Sequence, residues 1–113
     1  MVQLRSEPEG ILNNLVAEAV RQGADALEIE YKDGREEVCA MKSDTWFAIA
    51  SIESSSDDAA TLREQLYAIE RKGKIVAMHG ASYRLTVKTY HSFGEDAFRV
   101  RIERRPNRVR DGI

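Results

Sequence analysis

The apolar residues of this chain change spacing twice from a helical repeat to a strand repeat, and this order constrains the fold more than any other feature. Up to Gly23, and again before Gly73, apolar side chains recur at three- or four-residue intervals, which predicts two amphipathic helices. After each helix the period shortens to two, which predicts three strands. The order αβββαβββ therefore predicts an α+β two-layer sandwich, with a mostly antiparallel sheet and two helices on one face.

Residues that favour helix ends mark both helices. Ser6-Glu7-Pro8-Glu9 predicts that the first helix starts near Glu7. Residues 54–58 place serine caps and two aspartates at the positive end of the second helix, and residues 71–73 place two cations and a glycine stop at its other end. The second helix is expected to bury Ala59, Leu62, Leu66 and Ile69 and to expose Arg63, Glu64 and Glu70.

The strands are expected at residues 26–32, 35–42, 46–52, 74–79, 83–90 and 97–104. Asp33-Gly34 favours a type I′ turn between the first two, so that Glu30 faces Glu37 across the pair. The third strand has little polar alternation, which favours a central position covered on both faces. Its adjacent Trp46 and Phe47 must point to opposite sides, one into the core and one onto the uncovered face of the sheet.

The last two long strands separate apolar from charged residues. One side carries Tyr83, Leu85 and Val87 on one strand and Phe98, Val100 and Ile102 on the other. The opposite side carries Arg84, Thr86, Lys88, Arg99, Arg101 and Glu103. Because alternate residues of a strand point to opposite faces, the uncovered face of the sheet is expected to be polar and mainly basic.

Length and composition narrow the class of protein. At 113 residues with 42% apolar content the chain is expected to form one domain over residues 1–104, followed by a flexible basic tail at 105–113. No apolar run approaches the roughly 20 residues of a membrane helix, which predicts a cytoplasmic protein without membrane insertion. The single cysteine, Cys39, can form neither an internal disulfide nor a cysteine-type zinc site alone.

The charges are distributed unevenly along the chain. Residues 1–98 contain 11 basic and 17 acidic side chains, whereas residues 99–113 contain six arginines and two acidic residues. An acidic body repels phosphate, so general binding to nucleic acid is disfavoured. The cations Arg84, Lys88, Arg99 and Arg101, with the arginines at 104, 105, 108 and 110, form the concentrated basic patch. The patch lacks interleaved aromatic residues for base stacking, which favours an acidic protein partner or a second subunit.

The segment Leu15–Glu30, LVAEAVRQGADALEIE, resembles the opening of the domain that precedes the motor in type II secretion and type IV pilus ATPases. In that family the helix ends in a Gly-Ala-Ser-Asp segment and an Ile-His-Ile-Glu strand follows. Here Ala26 and Glu28 replace the aspartate and the histidine, so no role of those two side chains is transferred. The resemblance implies a PAS-like domain that makes contacts with subunits and partners.

Three chemical hypotheses remain open beside that resemblance. Cys39 with His79 or His91 could form a thiolate–imidazole pair. The carboxylates of Glu28, Glu30 and Glu37 share one face of the first hairpin, where they could hold a hard cation or serve solubility alone. No Gly-x-x-x-x-Gly-Lys-Ser/Thr loop occurs in the chain, so nucleotide hydrolysis is not implied.

The sequence thus favours a non-enzymatic docking module without cofactor or metal. Its partner-binding residues are expected to be Trp46 and the cations Arg84, Lys88, Arg99 and Arg101, and its acidic face to be Glu28, Glu30 and Glu37. The alternative is a PAS-like sensor with a small ligand between sheet and helices, in a pocket lined by Phe47, Ile49, Leu66 and Leu85.

Overall fold

The computed structural model describes residues 10–106, and these form two helices and six strands. The first half contains α1 (Gly10–Arg21), β1 (Ala26–Lys32), β2 (Arg35–Lys42) and β3 (Thr45–Glu53). The second half contains α2 (Asp57–Lys72), β4 (Lys74–Met78), β5 (Ala81–Ser92) and β6 (Glu95–Arg104). The expected order αβββαβββ is confirmed. The expected start of α1 near Glu7, and residues 107–113 of the expected tail, lie outside the described residues.

All six strands form one antiparallel sheet in the order β3-β2-β1-β6-β5-β4. Each half of the chain builds a three-stranded meander, because short turns such as Asp33-Gly34 connect neighbouring strands. The two meanders join where β1 pairs with β6, with Leu27 opposite Val100 and Ile29 opposite Phe98. The first and last strands of the chain therefore lie at the centre of the sheet.

Both helices cover one face of the sheet and enclose the core. Leu15 and Val16 of α1 and Leu62 and Leu66 of α2 are fully buried. The sheet contributes a second set of buried side chains, which includes Leu27, Ile29, Val38, Leu85, Phe98 and Val100. The α+β two-layer sandwich with both helices on one face is therefore confirmed, and the other face of the sheet has no described element over it. Neither described helix is long and apolar enough to cross a membrane.

The ends of α2 form as its sequence predicts. The side chain of Ser56 caps the helix by accepting a hydrogen bond from the Ala59 amide at 3.1 Å. At the other end Gly73 adopts a positive φ of 70° and donates its amide to the Ile69 carbonyl. A side chain at Gly73 would be strained by that angle, so the glycine ends the helix and starts β4.

The predicted central position of β3 is wrong, because β3 is an edge strand that pairs only with β2. A bulge explains the missing polar alternation. The register shifts between Val38 and Cys39, so Ile49 is an extra residue on β3 and both Ile49 and Ile52 point to the core. The lack of polar alternation in β3 is therefore explained by the bulge, and it does not mean that both faces of the strand are covered.

Arg63, which the sequence leaves to solvent, is only partly exposed, at 35% of its side chain, because it has a partner on the sheet. Its guanidinium donates from Nη1 to Oε2 of Glu36 at 3.1 Å, and the Glu36 side chain is only 5% exposed. The hydroxyl of Ser54 donates to the same carboxylate oxygen at 2.7 Å. Glu36 points to the helix layer like its neighbours Val38 and Ala40, so its buried charge requires a cation from α2. The pair fastens the start of α2 to β2.

Candidate functional site

The open face is the side of the sheet opposite the helices. Across the middle of this face, Cys39 of β2 lies beside Glu28 of β1, which lies beside Arg99 of β6 and then Lys88 of β5. Glu28, Glu30 and Glu37 of β1 and β2 lie in one half of the face together with Lys32 and Arg35, and the cations of β5 and β6 lie in the other half together with Glu103. The structure therefore brings together all eight residues that the sequence assigned to binding or acidic surfaces, although their role stays a prediction.

An ion pair between Glu28 and Arg99 connects the two halves of the open face. Arg99 donates to Glu28 Oε2 from Nη2 at 2.6 Å and from Nε at 3.2 Å, and this contact raises the pKa of the guanidinium. The Arg99 guanidinium carbon also lies 5.4 Å from the ring centre of Trp46, within the range of a cation–π contact. Trp46 is 38% exposed. Its neighbour Phe47 packs against the core, which confirms that the two aromatic side chains point to opposite sides.

The remaining carboxylates of the open face have neutral partners. Glu30 accepts a hydrogen bond from the Tyr90 hydroxyl at 3.1 Å, and Glu37 accepts one from Ser51 at 2.9 Å. Glu30 and Glu37 lie opposite each other, as the turn at Asp33-Gly34 predicts. In the described part of the chain, no group of three or more acidic, histidine or cysteine side chains has the geometry of a metal site.

The basic half of the face differs, because its cations on β5 form no ion pair among the described residues, even though Glu103 of β6 lies opposite Arg84. Among residues 10–106, no carboxylate lies within ion-pair distance of Arg84 or Lys88, and both side chains are exposed. Arg101 approaches Glu103 of its own strand at 3.7 Å, where both side chains are mostly exposed and the attraction is weak. These cations are therefore available to an acidic surface.

Cys39 does not form the hypothesised thiolate–imidazole pair. The imidazole Nε2 of His79 lies 3.2 Å from the Ala17 carbonyl oxygen, and His91 lies beside Asp96. Strands β1 and β6 separate β2 from β5, a distance of about 14 Å. Burial and the charges of Glu37, Glu28 and Glu30 raise the pKa of the Cys39 thiol, which disfavours the thiolate nucleophile.

Tyr90 belongs to the open face but was missed at the sequence level. Burial, the charge of Glu28 and the hydrogen bond to Glu30 all raise its pKa, so the phenol stays protonated and donates. Tyr90 reaches across β6 because the residue beside it there is Ala97, whose side chain is small. The signal was available in the sequence, since Tyr90 has the same parity as Arg84 and Lys88 on β5.

The hypothesised internal pocket corresponds to packed core. Leu66 and Leu85 are fully buried, Ile49 is 9% exposed, and Phe47 packs against the same core cluster, in which four strand spacings separate it from Leu85. A polar cleft of about 510 Å³ lies instead at the surface, between the start of α2 and the β5–β6 turn. Its lining includes Glu36, Ser54 and Arg63, and Tyr67, which donates a hydrogen bond to Asp96. Within this cleft Arg63 is paired with Glu36, and Asp96 accepts a hydrogen bond from Tyr67.

Comparison with known proteins gives a similarity to a solved structure. No protein-family model matches the chain, and no curated protein matches its sequence. The X-ray structure of the Legionella pneumophila ATPase DotB is similar, with a TM-score of 0.51 and 15% sequence identity. The match covers 84% of this chain and 28% of that chain. The chain therefore has the fold of a segment of an ATPase and spans a little over a quarter of that protein's length.

Proposed function

We propose that this chain is a non-enzymatic docking domain, and that the open face of its sheet binds an acidic surface of a partner protein. The division of charge on that face carries the proposal. Glu28, Glu30 and Glu37 each have a hydrogen-bonding partner within the chain, whereas Arg84 and Lys88 form no ion pair in the described residues, although Glu103 lies opposite Arg84 on the neighbouring strand. Unpaired cations on a flat sheet favour a complementary surface of opposite charge.

Trp46 would supply the apolar contact that such an interface needs. Tryptophan and arginine are the residue types that most often dominate binding energy at protein interfaces. Trp46 and Arg99 are adjacent on the open face and already in contact. Glu28 holds Arg99 in place, so the pair is ordered before a partner arrives and little side-chain entropy is lost on binding.

The fold supports a place beside an ATPase motor. A fold likeness to a segment of DotB agrees with the resemblance of Leu15–Glu30 to the domain that precedes the motor in secretion and pilus ATPases. The present chain has no phosphate-binding loop, and its cysteine and histidines are not arranged for catalysis. We therefore propose that it contributes binding, while chemistry belongs to the protein it contacts.

A pull-down with matched charge reversals tests the proposal. The double variant Arg84→Glu/Lys88→Glu reverses the open face, and Arg71→Glu/Lys72→Glu makes the same charge change on exposed residues at the end of α2. Proteins retained by the original chain and by the α2 variant, but lost from the open-face variant, are candidate partners. Each candidate is then purified and titrated against the chain at several salt concentrations.

The expected result is a purified partner whose affinity falls with salt and falls at least about tenfold for the open-face variant. A partner that binds both double variants equally would place the interface elsewhere. Absence of any protein that separates the two variants would count against docking through this face. The alternative of a ligand sensor has no comparable observation, because its four lining residues form packed core.

A further inference from the structure

A cleft of about 540 Å³ lies at the end of the sheet, where the turn between β4 and β5 meets the last residues of β6. The hairpin contributes small residues to the lining, namely Ala77, Gly80, Ala81 and Ser82. The chain that leaves β6 runs beside this hairpin, since the Arg105 amide donates to the Ser82 carbonyl at 2.9 Å. It adds Arg104, Arg105 and Pro106 to the lining. The volume is in the range of small-molecule sites.

The β4–β5 turn leaves the cleft open because its histidine points elsewhere. The imidazole Nε2 of His79 lies 3.2 Å from the Ala17 carbonyl oxygen of α1, and His79 is not among the lining residues. The other turn residue, Gly80, has open space within 4 Å of the position that a Cβ would take. The cleft is therefore produced by small residues of the hairpin and is open to a ligand from solvent.

The cleft is positively charged. Arg104 and Arg105 both line it, whereas none of its lining residues in the described chain is acidic. Neither arginine forms an ion pair among residues 10–106. The preceding residue, Glu103, approaches Arg101 instead, at 3.7 Å. Two guanidinium groups without a counter-charge repel each other, and an anion bound between them removes that repulsion.

The donors and the size of the cleft indicate the class of anion. Each guanidinium presents a planar fork of N–H donors that can bind two oxygens of a carboxylate or phosphate. Two forks exceed the two oxygens of one carboxylate but suit the three terminal oxygens of a phosphomonoester, which carries nearly two negative charges at neutral pH. A phosphoryl group fills only part of the volume, and Met78 and Pro106 add apolar surface to the remainder.

We propose that this cleft binds a phosphomonoester with an apolar organic group, whose phosphoryl oxygens lie between Arg104 and Arg105. The apolar group then packs against Met78 and Pro106, and the Ser82 side chain supplies a further hydroxyl donor at the lining. None of the eight residues that the sequence assigned to the open face lines this cleft. The site therefore goes beyond the proposed docking function, and either proposal can fail without the other.

Calorimetric titration with three small probes tests the class of ligand. Phenyl phosphate carries a phosphoryl group and an apolar ring, inorganic phosphate lacks the ring, and benzoate has a carboxylate in place of the phosphoryl group. Phenyl phosphate is expected to bind saturably, at least about fivefold more tightly than inorganic phosphate and about tenfold more tightly than benzoate. Equal binding of all three probes, or no saturable binding of phenyl phosphate up to about 10 mM, would overturn the proposal.

Variants of the lining locate the site. Arg104→Gln/Arg105→Gln removes both charges, and Arg71→Gln/Lys72→Gln removes the same charge from exposed residues at the end of α2. Ala77→Leu fills the cleft from an exposed position of β4 and leaves the charge unchanged.

Both cleft variants should bind phenyl phosphate at least about tenfold more weakly while circular dichroism stays native, and the α2 variant should lose less than about twofold. An equal loss in the α2 variant would mean that net charge alone attracts the probe. Unchanged binding in both cleft variants would place the site elsewhere. Either result would overturn the proposal.

Vesicles distinguish the two sources of such a phosphomonoester. Phosphatidylcholine vesicles with and without phosphatidic acid are sedimented with the original chain and with the cleft variants. Sedimentation that requires phosphatidic acid and is lost in both cleft variants would identify a lipid headgroup as the ligand. Binding of phenyl phosphate without sedimentation on either vesicle would identify a free phosphomonoester.

Discussion

The two faces of the sheet are made from the same strands but differ in how deeply their side chains are buried and in how many are charged. On the helix side, residues such as Val38 and Val100 are fully buried, and the side chain of Glu36 is the charged exception. On the open face, the neighbouring Glu37, Arg99 and Arg101 remain in contact with water. The helix side therefore supplies most of the folding free energy, while the open face is free to carry a binding surface.

An ion pair on each side makes the comparison quantitative. Glu36 and Arg63 have side chains that are 5% and 35% exposed, whereas Glu28 and Arg99 are 21% and 49% exposed. The open-face pair is shorter, at 2.6 Å against 3.1 Å. The shorter distance does not make the open-face pair contribute more to the free energy of unfolding, because water screens its charges. Loss of one partner from the buried pair is far more costly, because the other charge then stays buried without a counter-charge.

The largest expected contrast is between an aromatic residue of each face. Phe98→Ala should lower the free energy of unfolding by about 4 kcal/mol, since Phe98 is fully buried and packs edge-on against Tyr67 at 5.1 Å. Trp46→Ala on the open face should cost about 1 kcal/mol. Urea denaturation followed by circular dichroism measures both. Equal losses would mean that the open face is covered in solution.

The second contrast concerns the buried ion pair. Arg63→Ala should destabilise the fold by about 3 kcal/mol, because the Glu36 carboxylate then stays buried without its cation. Arg71→Ala, an exposed arginine of the same helix, should cost less than about 0.5 kcal/mol. The double variant Glu36→Leu/Arg63→Leu should recover most of the loss. Failure of that recovery would show that Arg63 acts through packing rather than charge.

A third contrast uses alkaline pH. The folded protein raises the pKa of Tyr90 above its ordinary value of 10.0, so Tyr90 stabilises the fold below pH 10 and this contribution is lost as the pH rises further. The free energy of unfolding should therefore fall more steeply above pH 10 in the original chain than in Tyr90→Phe, by at most about 1.4 kcal/mol per pH unit. Parallel pH profiles would contradict the raised pKa of Tyr90 and the burial that chiefly causes it.

The smallest expected effect lies at Cys39. Because burial and three carboxylates raise its pKa, alkylation at pH 8 should be slower than for a free thiol. Glu37→Gln removes one charge and should speed alkylation by about twofold. Glu53→Gln is the matched control, since Glu53 is not among the groups that act on Cys39. A control that speeds alkylation equally would show that strand opening, and not the thiol pKa, limits the rate.

Local features of the fold were predictable from the sequence, because they depend on nearby residues. The cap at Ser56, the stop at Gly73 and the turn at Asp33-Gly34 each follow from the backbone needs of one or two residues. The edge position of β3 was not predictable. It depends on the pairing of β1 with β6, which are about seventy residues apart, and on a bulge at Ile49 that interrupts the two-residue period.

The candidate site, too, was predictable only where it depends on nearby residues. Strand parity put Arg99 on the open face and put Trp46 and Phe47 on opposite faces, but the contacts of Trp46 and Arg99 needed the register between β1 and β6. Glu36 has the same parity as the core residue Val38, yet only the path of α2 across the sheet supplies Arg63 as its partner. The basic cleft at the end of the sheet became visible only with the path of residues 104–106 beside the β4–β5 turn.

By itself, the sequence determined the elements, their order and, outside the bulged strand β3, the face to which most strand side chains point, because backbone preference and side-chain period act over a few residues. Only the tertiary structure decided which strands are central, which charges are paired and where a cleft remains. These outcomes depend on hydrogen bonds and burial between segments far apart in the chain, and no local pattern contains that information.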